Sequence, residues 1–596
     1  MERGVRRSHH MPFGAELTRA GHVRFRLWAP AARAVELLLD EGPTVHALPM
    51  QAVDGGFYEL LSAQARPGSR YRFRIDGDLA VADPASRYNP EGVHASSVVI
   101  DPGHFLWEDT DWRAPPWPTT VLYELHVGTF TAGGTFAAAL ERLAHLVELG
   151  VTAIELMPVG AFPGRRDWGY DGVLPYAPQA SYGTPEELKA LIASAHRLGL
   201  AVVLDVVYNH FGPEGNYLHH YAPQFFTDRY RTPWGTAINF DGPESGTVRD
   251  FFIHNALYWL EEYHFDGLRL DAVHAIHDAG GPHILRDIAH AVRAGPGADR
   301  PVYLVLENLD NAARLLGGVS DAHSYDAQWN DDAHHCLHVL LTGERDGYYA
   351  DFAAAPAALL CRSLAEGFAF QGEHSAYVGR ERGERSAHLP PSAFINFLQN
   401  HDQIGNRTHG ERLTSLAEPA ALRAALAVLL LAPEPPLLFM GEEWGATEPF
   451  AWFCDFEPDL AARVLAGRRS ERPGCPDPGA EATFARARLD WRSLTQPPHA
   501  QALRYYRELL ALRHREIDPL IAQVRAGRCV RGTHPLVVEW PAGEHTLRLI
   551  ANLSAATAVV RERAAGRVLY ASHALSGSAA AAQLPAWSVL WLLEVQ

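Results

Sequence analysis

Cysteine is scarce in this sequence. The chain has 596 residues and only five cysteines, which are scattered and never stand in a CxxC spacing. An odd number of cysteines without metal-ligand spacing indicates neither a disulfide framework nor a zinc cluster. We therefore expect the reducing cytoplasm as the compartment of this protein. The five are Cys336, Cys361, Cys454, Cys475 and Cys529.

Long apolar segments are also missing. The N-terminal stretch MERGVRRSHHMPFGAEL has no apolar core of the kind that signal peptides carry. The most apolar segment, Ala424 to Leu431, is far shorter than a helix that spans a bilayer. We therefore expect neither a cleaved leader nor a membrane partner.

Positive charge is in short supply as well. The 52 Lys and Arg residues face 70 Asp and Glu residues, which gives a formal net charge of −18. Nucleic acids and anionic membranes are bound through basic patches, so this balance argues against both as partners. It fits a protein that acts on a neutral ligand.

The patterns that are present indicate several domains, because a chain of this length exceeds one hydrophobic core. The first hundred residues contain VRFRLWAP, AVELLLD, GFYELL and YRFRID, separated by Gly and Pro turns. These segments predict a β-sandwich over residues 1–110. The strand-like residues 519–596 predict a second, C-terminal β-sandwich.

Residues 111–518 alternate between strand-like and helix-like patterns, which predicts an α/β fold. One helix start is clear: Thr184 and Glu187 fit a capping box, with Pro185 at the first helical position. Eight strands alternating with helices predict a (β/α)8 TIM barrel with enlarged loops. An open doubly wound sheet is the competing fold, but no Gly-rich phosphate loop follows any strand. The eight segments are VLYELHV, TAIELMPV, AVVLDVVYNH, GLRLDAV, PVYLVLEN, DAQWND, FINFLQNHD and PLLFMGEEWG.

Acidic residues lie near the ends of these segments, where a barrel carries its functional groups. Asp205 belongs to the third segment, Asp271 to the fourth, Glu307 to the fifth and Asp402 to the seventh. Taken singly, an Asp after a strand is more often a helix cap or a turn residue than a catalyst. Several carboxylates on one rim repel one another, however, and such an arrangement is costly unless chemistry requires it.

The segment GLRLDAV places Arg269 and Asp271 two residues apart, hence on the same face of a strand. A structural ion pair is the common reason for such a pair. The second reason is catalytic, since two carboxylates about 5–5.5 Å apart are the equipment of a retaining glycoside hydrolase. A guanidinium beside the attacking carboxylate keeps it ionised. The aromatic residues Trp168, Tyr170 and Tyr176 fit this hypothesis because sugar rings stack on aromatic faces.

The motifs DVVYNH, GLRLDAVHA, VYLVLEN and FLQNHD resemble, in order and spacing, four short conserved regions of the α-amylase superfamily of glycoside hydrolases. The resemblance implies Asp271 as nucleophile, Glu307 as general acid/base and Asp402 as the carboxylate that stabilises the transition state. It also implies sugar-binding residues in the −1 subsite and one carboxylate, Asp205, that mainly supports the site. The sugar-binding residues are Tyr170, His210, Arg269 and His401.

Within that superfamily, WAPAARAVELLL resembles an immunoglobulin-like, carbohydrate-binding N-terminal domain shared by branching enzymes, isoamylase-type debranching enzymes and maltooligosyltrehalose trehalohydrolases. Four further stretches are similar to the last group: DPASRYNPEGVH, YELHVGTFTAGGTF, QWNDDAHH and PDPGAEATFARARLDW. This resemblance implies hydrolysis of the α-1,4 bond next to the terminal trehalose of maltooligosyltrehalose, giving trehalose and a maltooligosaccharide. It also implies a pathway partner, maltooligosyltrehalose synthase, and no cofactor.

Further sugar ligands are expected around the mouth of the barrel. The segment QWNDDAHH follows the sixth strand, and its polar residues fit either sugar contacts or loop capping about equally. The loop from His210 to Phe251 is short and poor in carboxylates, and a calcium site needs six or more oxygens, so we expect no metal. The additional candidate ligands are His274, Gln328, Asn330, Asp331, Asp332, Gln403 and Asn406.

Three alternatives stay open at this point. A branching enzyme forms the same glycosyl-enzyme intermediate but passes it to a glucan hydroxyl. A debranching hydrolase cuts α-1,6 links. A non-catalytic glucan-binding protein would carry a dead barrel, although such a protein gains nothing from three clustered carboxylates.

Overall fold

The fold is built around a closed barrel of eight parallel strands. The computed structural model describes residues 4–42, 44–317, 321–560, 566–573 and 582–595. All eight predicted segments contribute a barrel strand, and the strands follow one another around the barrel in chain order, which confirms the (β/α)8 fold. Barrel strands 1 to 8 are Leu122–Leu125, Ala153–Leu156, Ala201–Val206, Gly267–Leu270, Tyr303–Leu306, Ala327–Trp329, Phe394–Phe397 and Pro436–Phe439.

The barrel strands are buried on both faces. All six residues of strand 3 are buried, as are all four of strand 4. Helices cover the outside of such a barrel and side chains fill its interior, so its strands are near-continuous apolar runs. Asp205 in strand 3 and Arg269 in strand 4 are exceptions to this rule and need polar partners.

The helix Pro185–Arg197 begins at the expected signal. The Thr184 hydroxyl accepts from the Glu187 N–H at 3.2 Å, and Glu187 Oε2 accepts from the Thr184 N–H at 2.8 Å, which confirms the capping box. Gly150 ends the helix before strand 2 with φ 105°, a conformation that glycine adopts without strain. The α-helices of residues 111–521 are Val127–Phe130, Phe136–Leu140, Leu143–Leu149, Pro185–Arg197, Leu218–Tyr221, Ser245–Glu261, Ile284–Ala294, Pro296–Asp299, Asp331–Thr342, Pro356–Glu366, His401–Gly405, Pro419–Leu431, Pro458–Glu471, Glu481–Arg486, His499–Leu512 and Asp518–Ile521.

The strand–helix alternation fails between strands 5 and 6. The described part of this connection contains one turn of 3-10 helix, Ala313–Leu315, and no α-helix. In its described part the connection departs from the expected alternation, and a local polar bond lies at its start. Asn308 Oδ1 accepts from the Asp310 N–H at 3.0 Å, a local bond that favours turns over helix.

Short hairpins lie in the loops at the C-terminal face of the barrel. The enlarged loop after strand 3 carries the antiparallel pair Phe226–Thr232 and Gly235–Ile238. Two more pairs join Gly160–Ala161 to Leu174–Pro178, and Glu373–Ser375 to Arg380–Arg382. The predicted enlarged loop is therefore an ordered hairpin whose tip, at Trp234, lies against the cleft described below.

Two antiparallel sheets form the N-terminal domain and pack face to face, as predicted. Alternate residues of VRFRLW are buried, and Phe25 packs against Tyr71 of the facing sheet with ring centroids 4.8 Å apart. One sheet has the order Gly14–Leu17, Val23–Trp28, Phe57–Ser62, Gln51–Val53. The other has the order Thr44–Pro49, Val35–Glu41, Arg70–Ile75, Leu79–Val81, with Ser97–Val98 paired to Arg70–Ile75.

The C-terminal domain is a five-stranded antiparallel sheet that packs on the barrel helices. Trp591 Nε1 donates to the Ala427 carbonyl at 2.9 Å, and Trp540 Nε1 donates to the Leu364 carbonyl at 3.0 Å. A two-stranded pair, Ala558–Val560 with Ala582–Leu584, covers the opposite face. The five strands, in sheet order, are Arg528–Arg531, Leu536–Ala542, His545–Asn552, Ser588–Val595 and Arg567–Ala571.

A disulfide joins the C-terminal sheet to the barrel, contrary to expectation. Cys361 lies in the helix Pro356–Glu366 and Cys529 in the first strand of the C-terminal sheet, 168 residues further on. Their Cα atoms are 5.4 Å apart, within the usual range for a disulfide. Packing of the sheet on that helix brings the two together, which no spacing in the sequence shows. Among the described helices, none combines the length and apolar character that a bilayer crossing demands.

Candidate active site

A cleft of about 350 Å³ opens at the C-terminal face of the barrel. Eight of the expected site residues line it, contributed by the loops or ends of strands 2, 3, 4, 5 and 7. They are Tyr170, His210, Asp271, His274, Glu307, His401, Asp402 and Asn406. Ala272, Trp168, Trp234, Trp452 and Arg468 complete the lining.

Arg269 lies beneath the cleft, contacts three acidic side chains and has no exposed surface. Its Nη1 donates to Asp205 Oδ2 at 2.8 Å and to Asp271 Oδ1 at 2.9 Å, while its Nη2 lies 3.2 Å from Glu307 Oε2. The guanidinium also lies over the Trp329 ring, 4.0 Å from the centroid. One buried cation therefore holds three carboxylates from three neighbouring strands in place.

The Asp271 carboxylate is held in its ionised form. Burial opposes ionisation, but the charges of Arg269 and His210 and the hydrogen bond from Asn209 outweigh it, so the pKa of Asp271 lies below its ordinary value. Asn209 Nδ2 donates to Asp271 Oδ2 at 2.9 Å, and Asn209 Oδ1 lies 2.5 Å from His210 Nδ1. An ionised carboxylate held this way is equipped to act as a nucleophile.

The Glu307 carboxyl is shifted in the opposite direction. Burial raises its pKa well above the usual range, and the negative charge of Asp271 adds to this despite the opposing charge of Arg269. Glu307 Oε2 accepts from the Ala272 N–H at 2.7 Å, and Ala272 has φ 42°. A non-glycine residue in this conformation is strained, and the strain here aims a backbone donor at Glu307. Adjacent carboxyls with opposed pKa shifts mark an acid beside a base.

His401 and Tyr170 stand together beside Asp402. Their rings stack with centroids 5.0 Å apart, and the Tyr170 hydroxyl donates to Asp205 Oδ2 at 2.6 Å. His401 Nε2 lies 3.5 Å from Asp402 Oδ1, and the Asp402 side chain is 38% exposed, open to a ligand. These groups surround the space above Asp271 with hydrogen-bonding atoms and an aromatic face, which suits a sugar ring.

The structure does not bring Gln328, Asn330 or Asp332 to the cleft; none has any exposed surface. Gln328 Nε2 donates to the carbonyl of Asn308 at 3.0 Å, and Asn330 Nδ2 donates to Asn396 Oδ1 at 2.8 Å. Asp332 Oδ1 pairs with Arg382 at 2.7 Å, and its Oδ2 accepts two backbone N–H bonds. These bonds tie all three side chains to neighbouring loops, and none of the three lines the cleft. For Asn330 and Asp332 the contacts favour loop capping over sugar binding, and the burial of Gln328 argues against a sugar contact.

The remaining candidates, Gln403 and Asp331, do not line the cleft. Gln403 completes a capping box, its Oε1 accepting from the Asn400 N–H at 3.2 Å, and its Nε2 lies 3.5 Å from Asp331 Oδ1. Burial raises the pKa of Asp331 to about 7. Tyr176, expected among the sugar-stacking residues, has no exposed surface, and its hydroxyl donates to the Phe251 carbonyl at 2.5 Å. Tyr176 therefore belongs to the packing behind the cleft.

Besides Ala272, three cleft residues were not predicted from the sequence. Trp234, at the tip of the hairpin after strand 3, is 47% exposed and stacks on His210 with centroids 4.6 Å apart. Trp452 and Arg468 follow strand 8, with the guanidinium 5.2 Å from the Trp452 centroid. Tryptophan in a polar loop is a signal that could have found Trp234, but only the fold turns these loops toward the cleft.

A second cavity of about 290 Å³ adjoins the cleft and shares His274 with it. Asn308 and Asp310, which follow Glu307 closely in the chain, line its wall together with Arg314. Glu307 lines the cleft, and the next residue, Asn308, lines the second cavity.

One described group has metal-ligand geometry, Asp109 with His196 and His264, whose ligand atoms lie within 4.8 Å of one another. It lies at the opposite end of the barrel, next to Asp266 at the start of strand 4. Asp109 Oδ2 is 2.7 Å from His196 Nδ1 and 2.6 Å from His264 Nδ1, and Arg7 contacts its other oxygen. These atoms already satisfy one another by hydrogen bonds and an ion pair, so the group is a polar joint between the N-terminal segment and the barrel.

Sequence comparison agrees with this geometry. A profile of the α-amylase catalytic domain matches residues 109–256. A profile of carbohydrate-binding module 48, the isoamylase N-terminal domain, matches residues 12–102. A domain of unknown function matches residues 525–591.

Relatives cover most of the chain. A malto-oligosyltrehalose trehalohydrolase of Saccharolobus solfataricus is 43% identical over 506 residues, which are 84% of this chain and 87% of the relative. Another, of Deinococcus radiodurans, is 42% identical over 546 residues, 88% of each chain. The crystal structure of a candidate α-amylase from Salmonella typhimurium superimposes with a TM-score of 0.93 at 44% identity, covering 98% of this chain and 100% of that one. The chain therefore belongs to the malto-oligosyltrehalose trehalohydrolase family of α-amylase-type glycoside hydrolases.

Proposed function

We propose that this protein is a retaining glycoside hydrolase that cleaves the α-1,4 bond next to the terminal trehalose of maltooligosyltrehalose. The products are trehalose and a shorter maltooligosaccharide. The observation that carries the chemistry is the contact of both Asp271 and Glu307 with one buried guanidinium, Arg269, while their pKa values are shifted in opposite directions. The substrate is proposed from the similarity to trehalohydrolases over most of the chain.

In the first step, a carboxylate oxygen of Asp271 attacks the anomeric carbon of the sugar above it. The bond from that carbon to the leaving oxygen breaks, and the Glu307 proton passes to this oxygen, so the trehalose unit leaves as a neutral alcohol. Glu307 is then ionised. In the second step it takes a proton from water while the water oxygen attacks the same carbon, which releases Asp271 and restores the starting charges.

The neighbouring residues act on the sugar that carries positive charge in the transition state. We assign to Asp402 the stabilisation of this charge and of the sugar hydroxyls beside it. Tyr170, His210 and His401 hold the same ring by stacking and hydrogen bonds, with Arg269 and Asp205 beneath them. His274 and Asn406 contact the sugars on either side of this ring. Asp331 and Gln403 lie 3.5 Å apart outside the cleft lining.

We place the leaving trehalose in the second cavity, beyond Glu307. Its wall carries Asn308, Asp310 and Arg314, which supply amide, carboxylate and guanidinium groups for sugar hydroxyls. The glycone chain then runs in the other direction, toward Trp452 and Arg468. Strand 8, which precedes these two residues, lies diametrically opposite strand 4 in the closed barrel.

We also propose that the protein works in the cytoplasm, alongside a maltooligosyltrehalose synthase that makes its substrate. The test of the function is product analysis on two matched substrates, maltopentaose capped with a terminal trehalose and plain maltohexaose. Fast release of trehalose from the first, with slow attack on the second, is the expected result. New α-1,6 branch points on amylose without release of trehalose would instead make the protein a branching enzyme.

A further inference from the structure

We propose that Glu124, on barrel strand 1, is a positioning residue that holds the His401 ring in one orientation, with its Nδ1–H on the Glu124 carboxylate and its Nε2 toward the sugar site. Glu124 lies within the YELHV segment and has no role in the mechanism described above. The inference rests on the proposed function only in taking His401 as a sugar-binding group.

Glu124 contacts His401 at two points, its ring and its backbone, an arrangement called the Glu124 clamp below. Glu124 Oε1 lies 2.5 Å from His401 Nδ1, and Glu124 Oε2 accepts from the His401 backbone N–H at 3.2 Å. Both side chains are 1% exposed, so water does not compete for these bonds. A carboxylate only accepts, so Nδ1 must carry the proton. Nε2, which lies on the Asp402 side of the ring, is left to face the cleft.

The ring is fixed from its other sides as well. Tyr170 stacks on one face of His401, and the edge of Trp168 meets it with centroids 5.3 Å apart. These contacts restrict ring translation, but neither selects which nitrogen carries a proton. Among the described residues, Glu124 alone contacts both the ring and the backbone N–H of His401, so it couples the orientation of the ring to the position of the first barrel strand.

The charges around His401 favour its protonated form. Burial opposes protonation, but Asp402 and Glu124 outweigh it and raise the pKa of His401 to about 9. The other charged or titratable groups that act on this ring are Arg269, His126, Glu155, Asp205 and Tyr170. Of these, Arg269 opposes protonation. A protonated ring donates from both nitrogens, so its Nε2 can only be a donor to a sugar hydroxyl.

The neighbouring strand offers a matched control. Glu155 pairs in register with Glu124 on strand 2 and is also 1% exposed. Its carboxyl oxygens have no hydrogen-bond partner among the described residues, and burial raises its pKa well above the usual range. Burial thus favours the neutral form of Glu155, and replacement by Gln keeps the shape of the side chain.

The experiment compares Glu124→Gln, Glu124→Asp and Glu155→Gln in the full-length protein. Histidine labelled with ¹³C at Cε1 reports the ring titration without substrate, and the His401 signal is identified by its loss in His401→Gln. We expect the pKa of His401 to fall by about one pH unit or more in Glu124→Gln. It should be partly restored in Glu124→Asp and unchanged in Glu155→Gln.

Kinetics on the trehalose-capped substrate supply the second readout. We expect kcat/KM of Glu124→Gln to fall about 10- to 100-fold, by analogy with the loss seen when the carboxylate that orients a metal-ligating His is removed. The loss should grow with rising pH, as the ring loses its charge earlier. Glu155→Gln should follow the wild-type profile.

A uniform loss of activity at all pH values, with the His401 titration unchanged in Glu124→Gln, would overturn the inference and leave Glu124 a packing residue. Absence of trehalose among the products of the wild-type protein would instead refute the proposed function. The substrate-free titration of His401 is unaffected by that outcome, so the two failures are distinguishable.

Discussion

Arg269 Nη1 lies 2.9 Å from Asp271 Oδ1, and this contact joins barrel strand 4 to the cleft above it. The same nitrogen lies 2.8 Å from Asp205 Oδ2, so one donor group serves both a buried carboxylate and the carboxylate that faces the cleft. The Arg269–Asp271 pair both stabilises the fold and prepares Asp271 for its reaction. The cation offsets the cost of burying Asp271 and keeps that carboxylate in the charged form that can attack a sugar.

Replacement of Arg269 by Met should be strongly destabilising. It leaves Asp205 and Asp271 buried without a cation, and removal of one partner of a buried ion pair costs about 3–5 kcal/mol. Urea unfolding should show this loss in the free energy of unfolding. The control is Arg407→Met, which removes a partly exposed pair with Glu344 and should cost about 1 kcal/mol or less. Equal losses in the two variants would contradict the role of Arg269.

Replacement of Glu307 by Gln should separate binding from turnover. The amide keeps the shape of the side chain but has no proton to give, and loss of a general acid slows such reactions about 10²- to 10⁴-fold. Calorimetry with a maltooligosaccharide should show an affinity close to that of the wild type, since Asp271, His401 and Asp402 are unchanged. Retained turnover would point to a different acid.

The pH dependence of kcat/KM should be bell-shaped. Asp271 acts in its ionised form and its pKa is lowered, so activity falls only when the pH drops through a value below the usual carboxyl range. Glu307 acts in its protonated form and its pKa is raised, so activity falls as the pH rises through that value. The two groups titrate as a coupled pair, and the profile reports the values of the pair. A profile that stays flat from about pH 4 to pH 9 would contradict this assignment.

Replacement of Trp234 by Ala should weaken substrate binding without affecting the fold. The ring is half exposed and stacks on His210, so it offers a platform for sugar at little cost to the core. Loss of one aromatic contact is worth about 0.5–1.5 kcal/mol, which corresponds to a roughly 2- to 13-fold increase in KM. Trp234→Phe should retain most of the affinity. An unchanged KM in the Ala variant would place the substrate elsewhere.

The pair Cys361–Cys529 should contribute about 2–4 kcal/mol to stability when oxidised, because it closes a long loop in the unfolded chain. Thiol titration in non-reducing denaturant tests the bond directly. Three thiols per chain, those of Cys336, Cys454 and Cys475, are expected. Five thiols would show that the pair is reduced. Cys529→Ser should lower the unfolding midpoint, whereas Cys475→Ser, at a partly exposed cysteine, should not.

Much of this architecture could be predicted from local sequence patterns. The apolar runs before Asp205, Asp271, Glu307 and Asp402 are strands because apolar side chains on both faces leave no other stable arrangement in a parallel barrel. The caps at Thr184 and Gly150 follow from backbone chemistry within four residues. Motif order then indicated that these carboxylates share one rim, and the barrel brings Asp271, Glu307 and Asp402 to one cleft.

Contacts between residues far apart in the chain could not be predicted from the sequence. Gln328, Asn330 and Asp332 carry the same polar groups as true cleft residues, and only the packing of the adjacent loops turned their donors and acceptors inward. The Glu124 clamp on His401 spans 277 residues, and the Cys361–Cys529 bond spans 168. The sequence by itself determined the strands, their order and the identity of the acidic residues, because these depend on neighbours along the chain. The tertiary structure decided which polar groups meet each other and which meet the ligand, because hydrogen bonds form between whatever the closed barrel brings together.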